Sequence, residues 1–293
     1  MFSHEAKVKP AVSARSGVPL ALAAVVMFST SAIFILWAAP LSPYEITVGR
    51  LTIAALLVVL LGRLNGQPLL PVRADLPRFA GIGLITALHF VTYIASLNYT
   101  TIAHALAITN TSPVFVTLFS SWLLHEPIPR RKWLGVLVTV LGIGVLAGFE
   151  PRWSARMLVG DALALFAGIT YAMYSVAGRS QRERYGLFTY TGTVYGMAAV
   201  WALPAALLNI TPAGYNAASL LALLAAGVVP LGMGHTLYNA ALRRMHATTA
   251  NLIVTQEVSS GILLGAIFMS QIPAASEVIG ALIALLGIAL VLI

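Results

Sequence analysis

Glu257, His89, His235 and a set of tyrosines, asparagines and threonines fall inside long apolar runs of this chain. Buried in such runs, each is costly unless it meets other polar groups, so each is a candidate site residue. Glu257 stands near the middle of the ninth run. There it can carry a proton or bind an ammonium group, or it can be a protonated side chain bonded to a neighbouring helix. His89 and Tyr93 are one helical turn apart and share a face. They can hydrogen-bond and stack on a ligand, or join two helices. His235, Tyr238 and Asn239 form a similar face, and Tyr171, Tyr174 and Ser175 form another. Aromatic faces also serve as packing or interface anchors. Asn110, Thr111 and Ser112 precede Pro113, which frees a carbonyl that polar neighbours can satisfy. The alternative there is a broken helix whose backbone faces a ligand. Asn251 and Thr255 share the ninth run with Glu257 and either extend a cavity or bond across helices. The binding candidates are thus His89, Tyr93, Asn110, Thr111, Tyr171, Tyr174, Tyr238, Asn239, Asn251 and Thr255, with Glu257 as the candidate for proton coupling. Arg50, about two turns into the second run, is expected to pair with Glu45 or to snorkel outward. Gly261 and Gly265 make a GxxxG pair, which reads as close helix packing.

Several chemistries are missing. There is no cysteine, hence no disulfide framework and no thiolate metal site. The sequence has no Walker A, HExxH or GxSxG pattern. An intramembrane enzyme would have to use His89, His104 and Glu257, whose spacing fits no catalytic motif. No catalytic residue, metal or cofactor is expected.

These residues must be held by elements made for lipid. The chain has 293 residues, 59% hydrophobic and 9% charged. Soluble domains carry roughly 25% charged residues. A hydrocarbon core of ~30 Å needs ~20 apolar residues per helical span, and runs of that length recur here. Ten spans are expected: 17–39, 44–62, 77–97, 101–124, 132–148, 157–178, 187–208, 217–242, 247–269 and 274–293. Runs this long indicate helices, since barrel strands are ~10-residue alternating segments. Pro40, Pro43, Pro129, Pro151, Pro212 and Pro273 punctuate the junctions. The run after the polar, basic first 17 residues is too long for a signal-peptide core and reads as a retained helix. The end within an apolar run at Ile293 reads as a trimmed polar tail.

The net charge of +8 belongs to topology and not to a nucleic-acid face. With the N-terminus inside, the inner segments hold Lys7, Lys9, Arg15, Arg63, Arg73, Arg78, Arg130, Arg131, Lys132, Arg179, Arg182, Arg184, Arg243 and Arg244. The outer loops hold Arg152 and Arg156 alone. That bias places both termini in the cytoplasm of a bacterial inner-membrane protein.

The ends of the two halves align at an offset of 145. Tyr93, Ala95, Leu97, Ala105, Ile108 and Leu118 meet Tyr238, Ala240, Leu242, Ala250, Ile253 and Leu263. Gly135, Leu137 and Leu141-Gly142-Ile143 meet Gly280, Leu282 and Leu286-Gly287-Ile288. These are eleven identities over residues 93–148, against roughly five for composition this skewed. The expected fold class is therefore an all-α membrane protein of two five-helix repeats, 17–148 and 157–293. Five is odd, so the second copy enters the membrane inverted. Inverted repeats are common in secondary transporters, with the substrate site near the midplane.

Ser96-Leu97-Asn98-Tyr99-Thr100-Thr101-Ile102-Ala103-His104-Ala105-Leu106, Ser112-Pro113-Val114-Phe115, Leu123-Leu124-His125-Glu126, and Gly135 with Leu141-Gly142-Ile143 resemble the drug/metabolite transporter superfamily of the EamA type. Glu257-Val258 and Gln271 depart from that pattern, which often has Glu-Pro and usually Glu. The resemblance implies ten helices around a central cavity. Overall the chain looks most like bacterial exporters of aromatic and other neutral amino acids. The expected function is export of such a metabolite by alternating access, with a small molecule and the lipid bilayer as partners. Drugs or nucleotide-sugar-like substrates, or an intramembrane enzyme, are the alternatives.

Overall fold

The computed structural model describes residues 17–100, 102–125, 127–147, 154–269 and 275–292. Lys7, Lys9, Arg15, Thr101, Glu126, Gly148, Pro151, Arg152, Gln271, Pro273 and Ile293, which entered the expectations above, lie outside the described residues, as does the side chain of His104.

Among the described residues the fold is all helical. The first span is α1 (Val18–Ser29) and α2 (Ser31–Trp37), joined at Thr30. Next come α3 (Pro43–Leu64) and α4 (Leu76–Ser96). The fourth expected span is divided into α5 (Ile102–Thr109) and α6 (Ser112–Leu123), followed by α7 (Arg130–Ala147). After α8 (Ala155–Ser180) and α9 (Leu187–Leu208), α10 (Ala217–Ala226) runs through a π-helical stretch, Gly227–His235, into α11 (Thr236–Leu242). The ninth expected span is also divided, into α12 (Ala247–Val254) and α13 (Glu257–Met269), and α14 (Ala275–Leu292) ends the chain. Seven segments among the described residues are long and apolar enough to cross a membrane. Of the remaining helices, α5 and α6 are shorter and α7 opens on Arg130, Arg131 and Lys132.

Local chemistry sets several boundaries. Ser42 and Glu45 form a reciprocal capping box at the start of α3, with Pro43 at the first helical position. Asn216 and Ser219 do the same for α10, and Ser154 caps α8. Pro230 lacks an N–H and sits inside the π-helical stretch, where the ladder is already loosened.

The polarity is arranged for lipid. Leu56, Trp122, Leu208, Leu221 and Ile267 are exposed, whereas Thr86, Ser96, Thr139, Ser175 and Asn251 are fully buried. Helix α3 packs on α9, α4 packs on α8 and α9, and α7 packs on α14. Helix α1 lies against the π-helical stretch and against α11, α12 and α13.

Small residues make the α7–α14 seam. A methyl group built on Gly142 would sit 2.8 Å from the Gly280 carbonyl and 2.9 Å from Ala284 Cα. One built on Gly287 would sit 2.8 Å from the Gly135 carbonyl. At Gly261 of the GxxxG pair, a methyl would meet Leu106 Cδ1 at an ordinary 3.6 Å among the described residues.

Polar contacts tie the loops at both ends of the bundle. At one end Asp75 accepts from the Tyr185 hydroxyl and pairs with Arg184 at 2.6 Å. There Arg243 also donates to the Tyr185 carbonyl at 2.7 Å. At the other end of α3, Glu45 accepts from the Thr211 amide at 3.0 Å and the Tyr215 hydroxyl at 2.7 Å.

Candidate functional site

Two interrupted helices meet in the middle of the bundle. Asn110 follows α5 and Glu257 opens α13, and the Asn110 amide donates to Glu257 Oε1 at 3.1 Å. Beside this contact lies a cavity. Its wall is drawn from α1, α2, α3, α4, α5, α8, the π-helical stretch and α13, so it is bounded by both halves of the chain.

Five of the expected site residues line this cavity: His89, Tyr93, Asn110, Tyr171 and Glu257. The His89 ring stacks on Tyr171 at 4.9 Å and lies parallel to Tyr93 at 6.3 Å. Nδ1 of His89 is 3.0 Å from the Ala167 carbonyl. A carbonyl can only accept, so Nδ1 carries the proton there. His89 therefore ties α4 to α8, and it also lines the cavity.

The other six are not among the lining residues. Tyr238 donates to Ser175 Oγ at 2.7 Å, and Asn251 donates to the Tyr238 hydroxyl at 3.4 Å and accepts from Ser112 at 3.1 Å. This chain of contacts joins α6, α8, α11 and α12 behind the cavity. Asn239 donates to the Tyr174 hydroxyl and to the His235 carbonyl. Thr111 and Thr255 bond carbonyls of their own interrupted helices, Ile108 at 2.7 Å and Leu252 at 2.6 Å. For these residues the helix-joining or helix-satisfying alternative describes the structure.

The helix is interrupted at residues 110–111, and Asn110 and Thr111 there bond carbonyls of the preceding turn. The break at residues 255–256 had no expectation behind it. Asn110 also bonds the Leu106 carbonyl at 2.9 Å, which satisfies part of the backbone freed by the interruption.

Arg50 requires a correction. It neither pairs with Glu45 nor snorkels outward. Glu45 is engaged by Ser42, Thr211 and Tyr215, and Arg50 is 1% exposed and lines the cavity. Its guanidinium lies 5.3 Å from the Phe90 ring centre, and Nη2 donates to Ser31 at 3.3 Å. The rule that picked out Glu257, that an intramembrane charge marks a site, applies equally to Arg50. Phe28, Phe90 and His235 also line the cavity outside the expected set. Phe90 and His235 are separated by the same 145 residues as Tyr93 and Tyr238, and that offset was the signal available for them. Among the described residues no cluster of three His, Asp or Glu side chains is placed to hold a metal ion.

Known proteins give this geometry a context. The chain is 33% identical over 274 residues to the pseudopaline exporter CntI of Pseudomonas aeruginosa, covering 91% of this chain and 92% of that one. It is 26% identical over 179 residues to an uncharacterized transporter of Archaeoglobus fulgidus, an alignment spanning 60% of each chain. It is 28% identical over 168 residues to the threonine/homoserine exporter RhtA of Salmonella typhimurium, covering 57% of this chain and 54% of that one. A crystal structure of a protein superposes with a TM-score of 0.81 at 21% identity, covering 94% of this chain and 96% of that one, which speaks to the fold alone. These named relatives are transporters and exporters, not enzymes. Residues 15–148 and 158–293 match the EamA-like transporter family, and on that match, which spans nearly the whole chain, this multi-pass membrane protein belongs to the EamA-like transporter family.

Proposed function

We propose that the protein is a secondary transporter that exports small neutral metabolites, aromatic amino acids foremost, across the bacterial inner membrane by alternating access. The observation that carries this reading is a central cavity lined by the rings of His89, Tyr93 and Tyr171 with the carboxylate of Glu257 at the junction of two interrupted helices. Aromatic walls suit an apolar or aromatic side chain. A carboxylate there suits an ammonium group.

Alternating access rests on ten spans arranged as two inverted repeats, 17–148 and 157–293, with both termini cytoplasmic. Three pairs of helices support it by their bounds. Shifted by 145 residues, α5 coincides with α12 and α7 with α14, and α6 begins where α13 begins. The packing partners correspond too. Helix α3 on the π-helical stretch has its counterpart in α9 on α4, and α4 on α8 has its counterpart in the π-helical stretch on α1. The family match also falls in two segments with nearly these bounds.

Glu257 supplies the coupling. A carboxylate holds either a proton or a substrate ammonium, so entry of one favours release of the other. An exchanger built this way is driven by the proton gradient. In proteoliposomes, labelled phenylalanine should show saturable uptake above empty vesicles, accelerated by an imposed pH gradient. Glu257→Gln should lose the gradient response. Absence of saturable flux for neutral amino acids refutes the substrate reading. A Glu257→Gln protein that still responds to the gradient refutes the coupling.

A further inference from the structure

We propose that Arg50 binds the carboxylate of the substrate, so that the cavity selects zwitterions with a free carboxylate over amines; this rests on the transport reading above. Arg50 is 1% exposed and lines the cavity that Glu257 also lines. Its Nη2 reaches Ser31, and its Nε and Nη1 have no hydrogen-bond partner. Phe90 offers its ring but no negative charge. Glu45, the acid nearest in sequence, is used by Ser42, Thr211 and Tyr215. Glu257 gives one oxygen to Asn110 and is not among the hydrogen-bond partners of Arg50.

An arginine side chain stays charged in a protein interior. A buried charge without a counter-ion is costly, and a buried N–H without an acceptor adds to the cost. The arrangement is therefore incomplete without an anion, and Arg50 forms part of the cavity wall. The planar fork of a guanidinium matches a carboxylate. An amine would satisfy Glu257 and leave Arg50 unpaired. A simple acid would satisfy Arg50 and place a second negative charge near Glu257. A zwitterion neutralises both, and its side chain is left for the aromatic wall. The two charges thus separate amino acids from amines and from acids by one mechanism, unpaired charge in the rejected case.

The test uses the full chain in proteoliposomes, with labelled phenylalanine as probe and three competitors: phenylalaninamide, phenethylamine and 3-phenylpropionate. The wild type should prefer phenylalanine over each competitor by about 10- to 100-fold, the range set by one charged hydrogen-bonded contact. Arg50→Gln should weaken phenylalanine by a similar factor and leave phenethylamine unchanged, so that the preference over the amine disappears. Unchanged amine binding, which needs Glu257 and an intact cavity, doubles as the folding control. Arg50→Lys should keep part of the preference, because charge is retained and the fork is lost. The inference is overturned if Arg50→Gln weakens acid-bearing and amine ligands equally, or if the wild type takes phenylalaninamide as well as phenylalanine. A wild type that takes none of the four compounds overturns the aromatic amino-acid reading of the substrate, and this inference with it.

Discussion

Replacing Gly142 with alanine should destabilise the protein, and replacing Gly287 as well should cost less than the two single changes added together. The added methyl at Gly142 meets backbone, the Gly280 carbonyl at 2.8 Å and Ala284 Cα at 2.9 Å. Backbone cannot swing aside as a flexible side-chain end can. Ordinary contact begins near 3.4 Å, so α7 and α14 must separate by roughly half an ångström or more. Overpacking of this kind costs about 1–3 kcal/mol. Gly287 faces the Gly135 carbonyl at 2.8 Å across the same seam, so a separation forced by the first methyl already relieves part of the second clash. The two sites share one displacement and must couple. Gly144→Ala is the control. It lies on α7 with nothing among the described residues within 4 Å of the added methyl, and alanine there restricts the unfolded chain, so stability should rise by about 0.4–1 kcal/mol. Thermal unfolding in detergent by tryptophan fluorescence reads all four proteins. Additive losses, or a Gly142→Ala protein as stable as Gly144→Ala, would refute the account of the seam.

Two further perturbations probe parts of the structure away from the cavity. Asn251→Leu removes the side chain that bridges Ser112 and Tyr238 and should lower the melting temperature by the equivalent of about 1–3 kcal/mol; a melting curve unchanged from wild type would mean the bridge contributes nothing. Tyr215, outside the spans, donates to Glu45, and this bond to a carboxylate, then burial, raises its pKa above the ordinary 10.0. The stabilisation is therefore complete below pH 10 and fades as pH climbs through the higher folded value. Tyr215→Phe should melt below wild type at pH 8, with the gap closing above pH 10, and a gap independent of pH would rule the linkage out.

Element positions were largely legible because their ends carry chemistry. The expected spans 187–208 and 217–242 coincide with α9 and with α10 through α11. There Asn216 and the basic Arg243 and Arg244 mark the edges. What periodicity could not supply was facing. In lipid the outward face is apolar, and so is much of the inner one, so a tyrosine on a helix carries no sign of whether it meets a cavity or a neighbouring helix. Tyr171 meets the cavity and Tyr174, one turn on, bonds Asn239 behind it. Charge carries more information than aromaticity here, because its burial cost is larger. On that scale Arg50 and Glu257 were the two most informative intramembrane residues, and both line the cavity.

The two helix breaks make the remaining distinction. Pro113 announced the first, since a residue without an N–H cannot complete the ladder. The second, at residues 255–256, has no proline or glycine within it, and local propensity alone would continue the helix. Under the proposed repeat, its position follows from the first, because 255 and 256 are the counterparts of 110 and 111. Backbone geometry is then shared between copies even where the residues that favour it are present in only one. Glu257 opens α13 where Ser112 opens α6, so the same backbone step carries a hydroxyl in one half and a carboxylate in the other. That difference gives the cavity its one acid among the described lining residues.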